Sequence, residues 1–400
     1  MERNMIIAVA VAFILIFSAG AAFILMSDDT TNNRTVSIVG KVNSEGSGIF
    51  VVDSPELKDL TADIDAYNLD AQKALWHNLV FMTPGPGSIQ HEMLRTFVEQ
   101  TLEMNFLQNR TIKTEPHTVY WAQVAPGQME LSFKNLGYHG GITWEPWFSQ
   151  IILGDNNARE VARSADLSPG HPCCMIVVDD DFLKNNKELV LRFMLAYVHA
   201  VGWVNEALAQ GTGEMYESLI NYAWITAYAG TGSVPAETRS IIESALKHTT
   251  FGYELDGLRG FIAEIAEAWE EAGRITQSIN NYWAFADNLI NYDIYHNIKF
   301  NIDALIENYM NTDGQPAAGT VRLGLLQNDL HQIAVNIANL STFSGSPVEG
   351  KSLFEVYGVN VVTVDPQLNG NFVMNLFATG SIDIGVLGLP PTLLRSANGI

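Results

Sequence analysis

The stretch Ser381-Ile-Asp-Ile-Gly-Val-Leu-Gly-Leu-Pro-Pro-Thr-Leu-Leu-Arg-Ser-Ala-Asn-Gly-Ile400 reads as a strand, a turn and a helix. It stops where a strand–helix unit expects its next strand. That strand appears near the other end of the chain, as Thr35-Val-Ser-Ile-Val-Gly-Lys-Val-Asn43. The order of segments is therefore expected to be cyclically shifted, with Ile400 lying beside Thr35.

Outward from residues 381–400 the pattern is strand alternating with helix. Residues 321–325, 359–364 and 382–386 read as strands. Residues 329–340 and 370–379 read as helices, the first with Asp329 as N-cap and Gln332 three residues on, the second closed by Gly380. Further strands are expected at 36–42, 48–52, 79–83, 119–124 and 140–144. The unbroken apolar run 175–178 suggests a buried parallel strand. Residues 89–102 carry an apolar stripe at helical spacing behind a Ser88 N-cap, and a short helix is expected at 128–135. Residues 187–310 read as helical, with apolar faces recurring at 189–208, 216–228, 236–246, 257–272 and 288–309. The expected fold class is α/β, two-lobed, with mostly parallel sheets covered on both faces.

Four hundred residues suit two lobes better than one core. The chain holds 44 acidic and 22 basic side chains, a formal charge of −22. That excludes the basic footprint a nucleic-acid partner needs. A small anion is still allowed, because charges beyond about 8–10 Å are screened in ordinary salt. Residues 5–26 carry no charge, with Arg3 before them and Asp28-Asp29 after. An uncleaved membrane anchor with the body outside is favoured on length and charge asymmetry. A cleavable signal ending near Ala19-Gly20-Ala21 is the alternative. Either places the body outside the cytoplasm. The two cysteines are adjacent, Cys173-Cys174. They are too few for a metal site and read as two small buried residues on a strand.

Four loops stand at expected strand ends, residues 327–332, 387–391, 43–47 and 83–88. Glycine lets backbone approach a ligand closely. Helix starts offer unpaired N–H donors and partial positive charge. Together these features could hold a small oxyanion without a basic side chain.

With their flanks, these loops resemble the solute-binding proteins of the nitrate/sulfonate/taurine transport family, which also includes proteins similar to thiamine-pyrimidine synthases. Residues 321–325 with Asp329-Leu-His-Gln-Ile-Ala334 resemble its first strand and helix. Ala378-Thr-Gly-Ser-Ile-Asp-Ile-Gly-Val-Leu-Gly388 with Pro390-Pro391 resembles the ligand wall of its first lobe. Val42-Asn-Ser-Glu-Gly-Ser-Gly48 is similar to the approach to its first crossover, and residues 83–91 to a helix start in its second lobe. Thr143-Trp-Glu-Pro-Trp147 and His171-Pro-Cys-Cys-Met-Ile-Val-Val178 resemble a late second-lobe motif and the return crossover. The resemblance covers most of residues 35–310 and 320–400, in rotated order.

The resemblance implies a periplasmic-binding-protein-like (type II) fold with a permuted chain. The expected parts are an anchor and tether at 1–34, a lobe 1 strand and crossover at 35–52, and lobe 2 at 53–171. The return crossover and lobe 1 helices follow at 172–310, a linker at 311–319, and the rest of lobe 1 at 320–400. It implies an ABC-importer substrate-binding component rather than an enzyme: a monomer that captures a sulfonate, taurine, nitrate or similar solute, needs no cofactor and docks on a membrane permease. The implied ligand residues are Asn328, His331, Leu387, Gly388, Ser47, Gly87, Ser88, Trp144 and Glu145. Ser47, Gly87 and Ser88 would donate hydrogen bonds to an anionic head, Trp144 would pack on the ligand, and Glu145 would accept from an amine or brace its own turn. No arginine falls in these motifs, which departs from a guanidinium-clamped site. A thiamine-pyrimidine-synthase-like enzyme and a membrane-anchored sensory ectodomain are the alternatives. The enzyme would need a cofactor lysine, and none of Lys58, Lys73, Lys113 and Lys134 falls in a motif resembling a cofactor site.

Overall fold

The computed structural model of the protein describes residues 35–110, 113, 115–154, 156–310 and 317–399. The expected anchor at residues 5–26, most of the linker, and Ile400 of the expected Ile400–Thr35 juxtaposition lie outside the described residues. No helix among the described residues is long and apolar enough to cross a membrane.

Thirteen strands are described. They are β1 (Val36–Lys41), β2 (Asn43–Glu45), β3 (Ser47–Val52), β4 (Val80–Thr83), β5 (Asn105–Gln108), β6 (Thr118–Gln123), β7 (Gly140–Trp144), β8 (Ala158–Arg163), β9 (Cys174–Asp179), β10 (Thr249–Phe251), β11 (Gly319–Gly324), β12 (Val359–Thr363) and β13 (Ile384–Gly388). Two larger sheets result. One runs β1-β9-β13-β11-β12 and the other β5-β6-β4-β7-β3-β8, while β10 and β2 form a small ribbon. Each larger sheet is the spine of one lobe. The first sheet joins β1, from near the chain's start, to β11, β12 and β13 from its end.

The sheets are mostly parallel, but each holds one reversed strand, β9 in the first and β3 in the second, which corrects the expectation of a parallel β9. β11 is parallel to β12 and β13, but β9 is antiparallel to both β1 and β13. In the second lobe β3 is antiparallel to β7 and β8. An unbroken apolar run reports burial on both faces, not direction. Both β9 and β3 enter their sheets straight from the interlobe connections, which reverses their sense. β3 also lies in the second sheet, although residues 35–52 were expected with lobe 1. The chain crosses between lobes at Gly46–Ser47.

The two crossovers run side by side. Val42 N donates to Cys174 O and Cys173 N to Asn43 O, while Glu45 N donates to His171 O. Ser47 N reaches Ser164 Oγ at 3.1 Å. Helix Lys187–Gln210 packs on the first sheet. Its buried face includes Phe193, which stacks on Phe354 with centroids 4.6 Å apart. The helical region 288–309 is two helices, Tyr282–Leu289 and Tyr292–Tyr309.

Candidate functional site

A cavity of about 60 Å³ lies between the two lobes. A single water needs roughly 10–15 Å³ of such space, so the cavity suits a solute of a few heavy atoms. The second lobe contributes residues 84–90, Gln123 and Trp144. The first lobe contributes Leu326, Asp329, His331, residues 369–371, Gly388 and Pro391, and the return crossover adds Cys173 and Cys174.

Three helix N-termini meet this cavity. Ser88 caps helix Ile89–Thr96, its hydroxyl accepting from His91 N. That leaves the N–H groups of Ile89 and Gln90 without an intrahelical acceptor. Asn369 caps helix Gly370–Ala378 by accepting from Asn371 N and Phe372 N. Helix Leu389–Asn398 begins at Gly388, but its first donors are spent. Leu389 N donates to Cys173 O, and Pro390 and Pro391 have no N–H. This third terminus therefore adds dipole and few donors.

Gly87, Ser88, Trp144, His331 and Gly388 line the cavity, and Ser47, Glu145, Asn328 and Leu387 do not. Ser47 is buried behind the wall and its hydroxyl accepts from Gln90 Nε2 at 2.9 Å. Leu387 is a core residue whose backbone pairs with Met175. Asn328 is half-buried, at φ +52°. Glu145 is fully buried and bound within its own lobe, to Ser149 N at 3.0 Å, Ser149 Oγ at 2.9 Å and Arg163 Nη1 at 2.7 Å. It braces the turn into helix Trp147–Leu153. Trp144 is nearly buried, and its indole N–H has no hydrogen-bond partner. Such an orphan donor costs roughly 1–3 kcal/mol.

Sequence reasoning missed the cysteines as lining residues. Cys173 Sγ lies 3.7 Å and Cys174 Sγ 4.0 Å from His331 Nδ1, and the two sulfurs are 4.0 Å apart. His331 Nε2 donates to Gly46 O at 3.0 Å. Asp329 Oδ1 accepts from His331 N at 3.0 Å and stands 3.6 Å from His331 Nδ1. Burial alone would lower the His331 pKa, but Asp329 and Cys173 beside it raise it to about 9. The Cys174 thiol and His331 pull the Cys173 thiol down, while burial pushes the Asp329 carboxyl up.

Gly46 makes room for this cluster. It adopts φ +80°, and a Cβ there would sit 2.3 Å from His331 Nε2. Gly46→Ala is expected to lower stability by about 1–2 kcal/mol from the backbone alone. It should also displace His331, which a urea melt and a tautomer-sensitive histidine NMR spectrum would register.

Two α/β lobes joined by paired crossovers beside a shared cavity define the periplasmic-binding-protein-like class. A family model matches residues 14–214, half of the chain, and the protein belongs to the NMT1-like family. No curated protein matches the chain. Two solved structures are similar to it. One is the ligand-binding component of an ABC-type import system from Staphylococcus aureus with zinc bound, 15% identical, with TM-score 0.41, covering 66% of this chain and 74% of the other. The second is the periplasmic nitrate-binding protein NrtA from Synechocystis PCC 6803, 16% identical, with TM-score 0.46, covering 67% and 69%.

Proposed function

We propose that the protein is the extracytoplasmic substrate-binding component of an ABC importer, capturing a small anionic or zwitterionic solute between its lobes. The observation that carries this reading is the meeting of helix N-termini from both lobes on one small cavity. No lysine or arginine lines it among the described residues. Recognition would come from the N–H groups of Ile89 and Gln90, the Trp144 indole N–H and aligned helix dipoles. Ser47 would act through Gln90, by fixing its side chain. Solute held by both lobes would favour the closed form, which would then dock on a permease.

The permuted order is part of the proposal. Its support is the first sheet, where β1 runs parallel to β13 with β9 between them. A helix leading from β13 into β1 would complete a strand–helix–strand unit, with residues 311–319 as the joining linker. Membrane attachment through residues 5–26 belongs to the same reading.

Isothermal titration of the protein against nitrate, taurine and a short alkylsulfonate tests the reading. One of them is expected to bind saturably at one site per chain. Trp144→Phe should weaken that binding about 10-fold, the equivalent of one lost hydrogen bond near 1.4 kcal/mol. If none of the three binds, or if Trp144→Phe leaves affinity unchanged, the anion reading of this cavity fails.

A further inference from the structure

We propose that Cys173, Cys174 and His331 form a binding site for one thiophilic metal ion of the Zn²⁺ class, open on its fourth side to the interlobe cavity. All three side chains are buried, and all three line that cavity.

The argument starts from the His331 tautomer. A carbonyl oxygen only accepts, so the contact from His331 Nε2 to Gly46 O at 3.0 Å fixes the hydrogen on Nε2. When an ion displaces the proton from Nδ1, that nitrogen presents a lone pair, and a hydrogen bond from the other nitrogen is the usual device that orients a metal-binding imidazole. That lone pair faces both sulfurs.

The spacing fits an ion. Zinc bonds of about 2.3 Å to sulfur and 2.0–2.1 Å to nitrogen at tetrahedral angles require separations of roughly 3.8 Å between sulfurs and 3.6 Å from sulfur to nitrogen. The cluster has 4.0 Å between sulfurs, with 3.7 and 4.0 Å from sulfur to Nδ1. Each value lies within a few tenths of an ångström of the requirement. A disulfide would need about 2.05 Å, and both cysteines are free. In a nucleophile relay a carboxylate or amide side chain orients the histidine through the nitrogen that does not face the nucleophile. Here Cys173, Cys174 and Asp329 all face Nδ1.

Three protein ligands with an open fourth position is the arrangement of zinc sites that bind an exogenous molecule. Two thiolates and the neighbouring Asp329 carboxylate supply negative charge beside the cation, and the protons held by the two sulfurs and by His331 Nδ1 leave to solvent on binding. A water or a donor atom of a solute in the cavity would complete the shell. The metal site stands on these ligands alone, whatever the solute.

The test uses the full chain, stripped with chelator, kept reduced and titrated with Zn²⁺ and with Co²⁺ as a spectroscopic probe. One Zn²⁺ per chain is expected. The Co²⁺ form should show thiolate-to-metal charge-transfer absorption, a readout that needs no variant. Cys173→Ser, Cys174→Ser and His331→Gln should each weaken Zn²⁺ binding by on the order of 100-fold or more, with the melting curve of each metal-free variant reporting whether it folds. No saturable Zn²⁺ binding, a Co²⁺ spectrum without thiolate bands, or Zn²⁺ affinity unchanged in folded cysteine variants would each overturn the proposal.

Discussion

Glu145→Ala is expected to destabilise the protein by about 3–5 kcal/mol, the range found when one partner of a buried ion pair is removed. Glu145 is fully buried and its pair with Arg163 is 2.7 Å long. Arg163 is itself largely covered, lying over the Phe148 ring at 4.3 Å. Without the carboxylate, Arg163 keeps only the more exposed Glu160, at 2.8 Å. Ser149 N and Ser149 Oγ would also lose their acceptor. The Ser149 hydroxyl touches Ser244 Oγ at 2.8 Å, on first-lobe helix Ala236–Lys247, so the loss reaches the interlobe contact as well. Glu145→Gln keeps one acceptor oxygen and should cost less. Urea unfolding of wild type and both variants checks the order. Anion or Zn²⁺ affinity of the folded protein should not change, because Glu145 does not line the cavity. A loss of affinity without a loss of stability would return Glu145 to the role of ligand.

That reassignment illustrates what the sequence carried. Apolar runs announced β1, β4, β7, β9, β11 and β13, because burial selects apolar side chains wherever the strand sits. They did not announce direction, which depends on where the chain re-enters a sheet, and so β9 was misread as parallel. β5 and β8 were missed for a different reason. Both are edge strands, and β8 carries Arg159, Glu160 and Arg163, the charges that keep an edge from pairing onward. The site was legible where a local rule applied. A serine before an apolar stripe gave the Ser88 cap, and a Gly/Pro-rich loop gave the wall at 84–88. It was not legible where the outcome depended on which way a buried side chain turns. Ser47 and Glu145 sit next to cavity residues in sequence or space, yet bond away from the cavity. The cysteines were read as strand residues, whose side chains alternate between faces. Cys173 precedes the strand that begins at Cys174, so the alternation does not separate them and both sulfurs reach His331.

Acidification is expected to destabilise the fold through His91. Burial disfavours its imidazolium, and the guanidiniums of Arg274 and Arg95 repel it, so its pKa falls to about 3 in the native state. In the unfolded chain it should titrate near 6.5. As pH drops through about 6.5 the unfolded state takes up a proton that the folded state refuses. The contribution is thus complete above about 6.5 and is lost as pH falls toward 3. The slope is roughly 1.4 kcal/mol per pH unit, or about 2 kcal/mol between pH 6.5 and 5. Other groups titrate in the same window, and His139 and His199 are also held low by burial. The difference between wild type and His91→Asn isolates the one residue, since the amide can still meet Thr83 Oγ1, now 2.9 Å from His91 Nδ1. Unfolding free energies from urea melts should therefore fall further between pH 7 and pH 5 in wild type than in the variant, by about 2 kcal/mol. Arg274 belongs to the first lobe and pairs across the cleft with Glu92, the neighbour of His91. A proton forced onto His91 would push against that guanidinium, so the interlobe contact is expected to loosen in the same pH range. Small-angle scattering at pH 7 and below pH 4 should then show a larger radius of gyration for the acidified wild type, and no such change in the variant. An equal pH response in both proteins would remove His91 from the account and leave the acid sensitivity to the carboxylates.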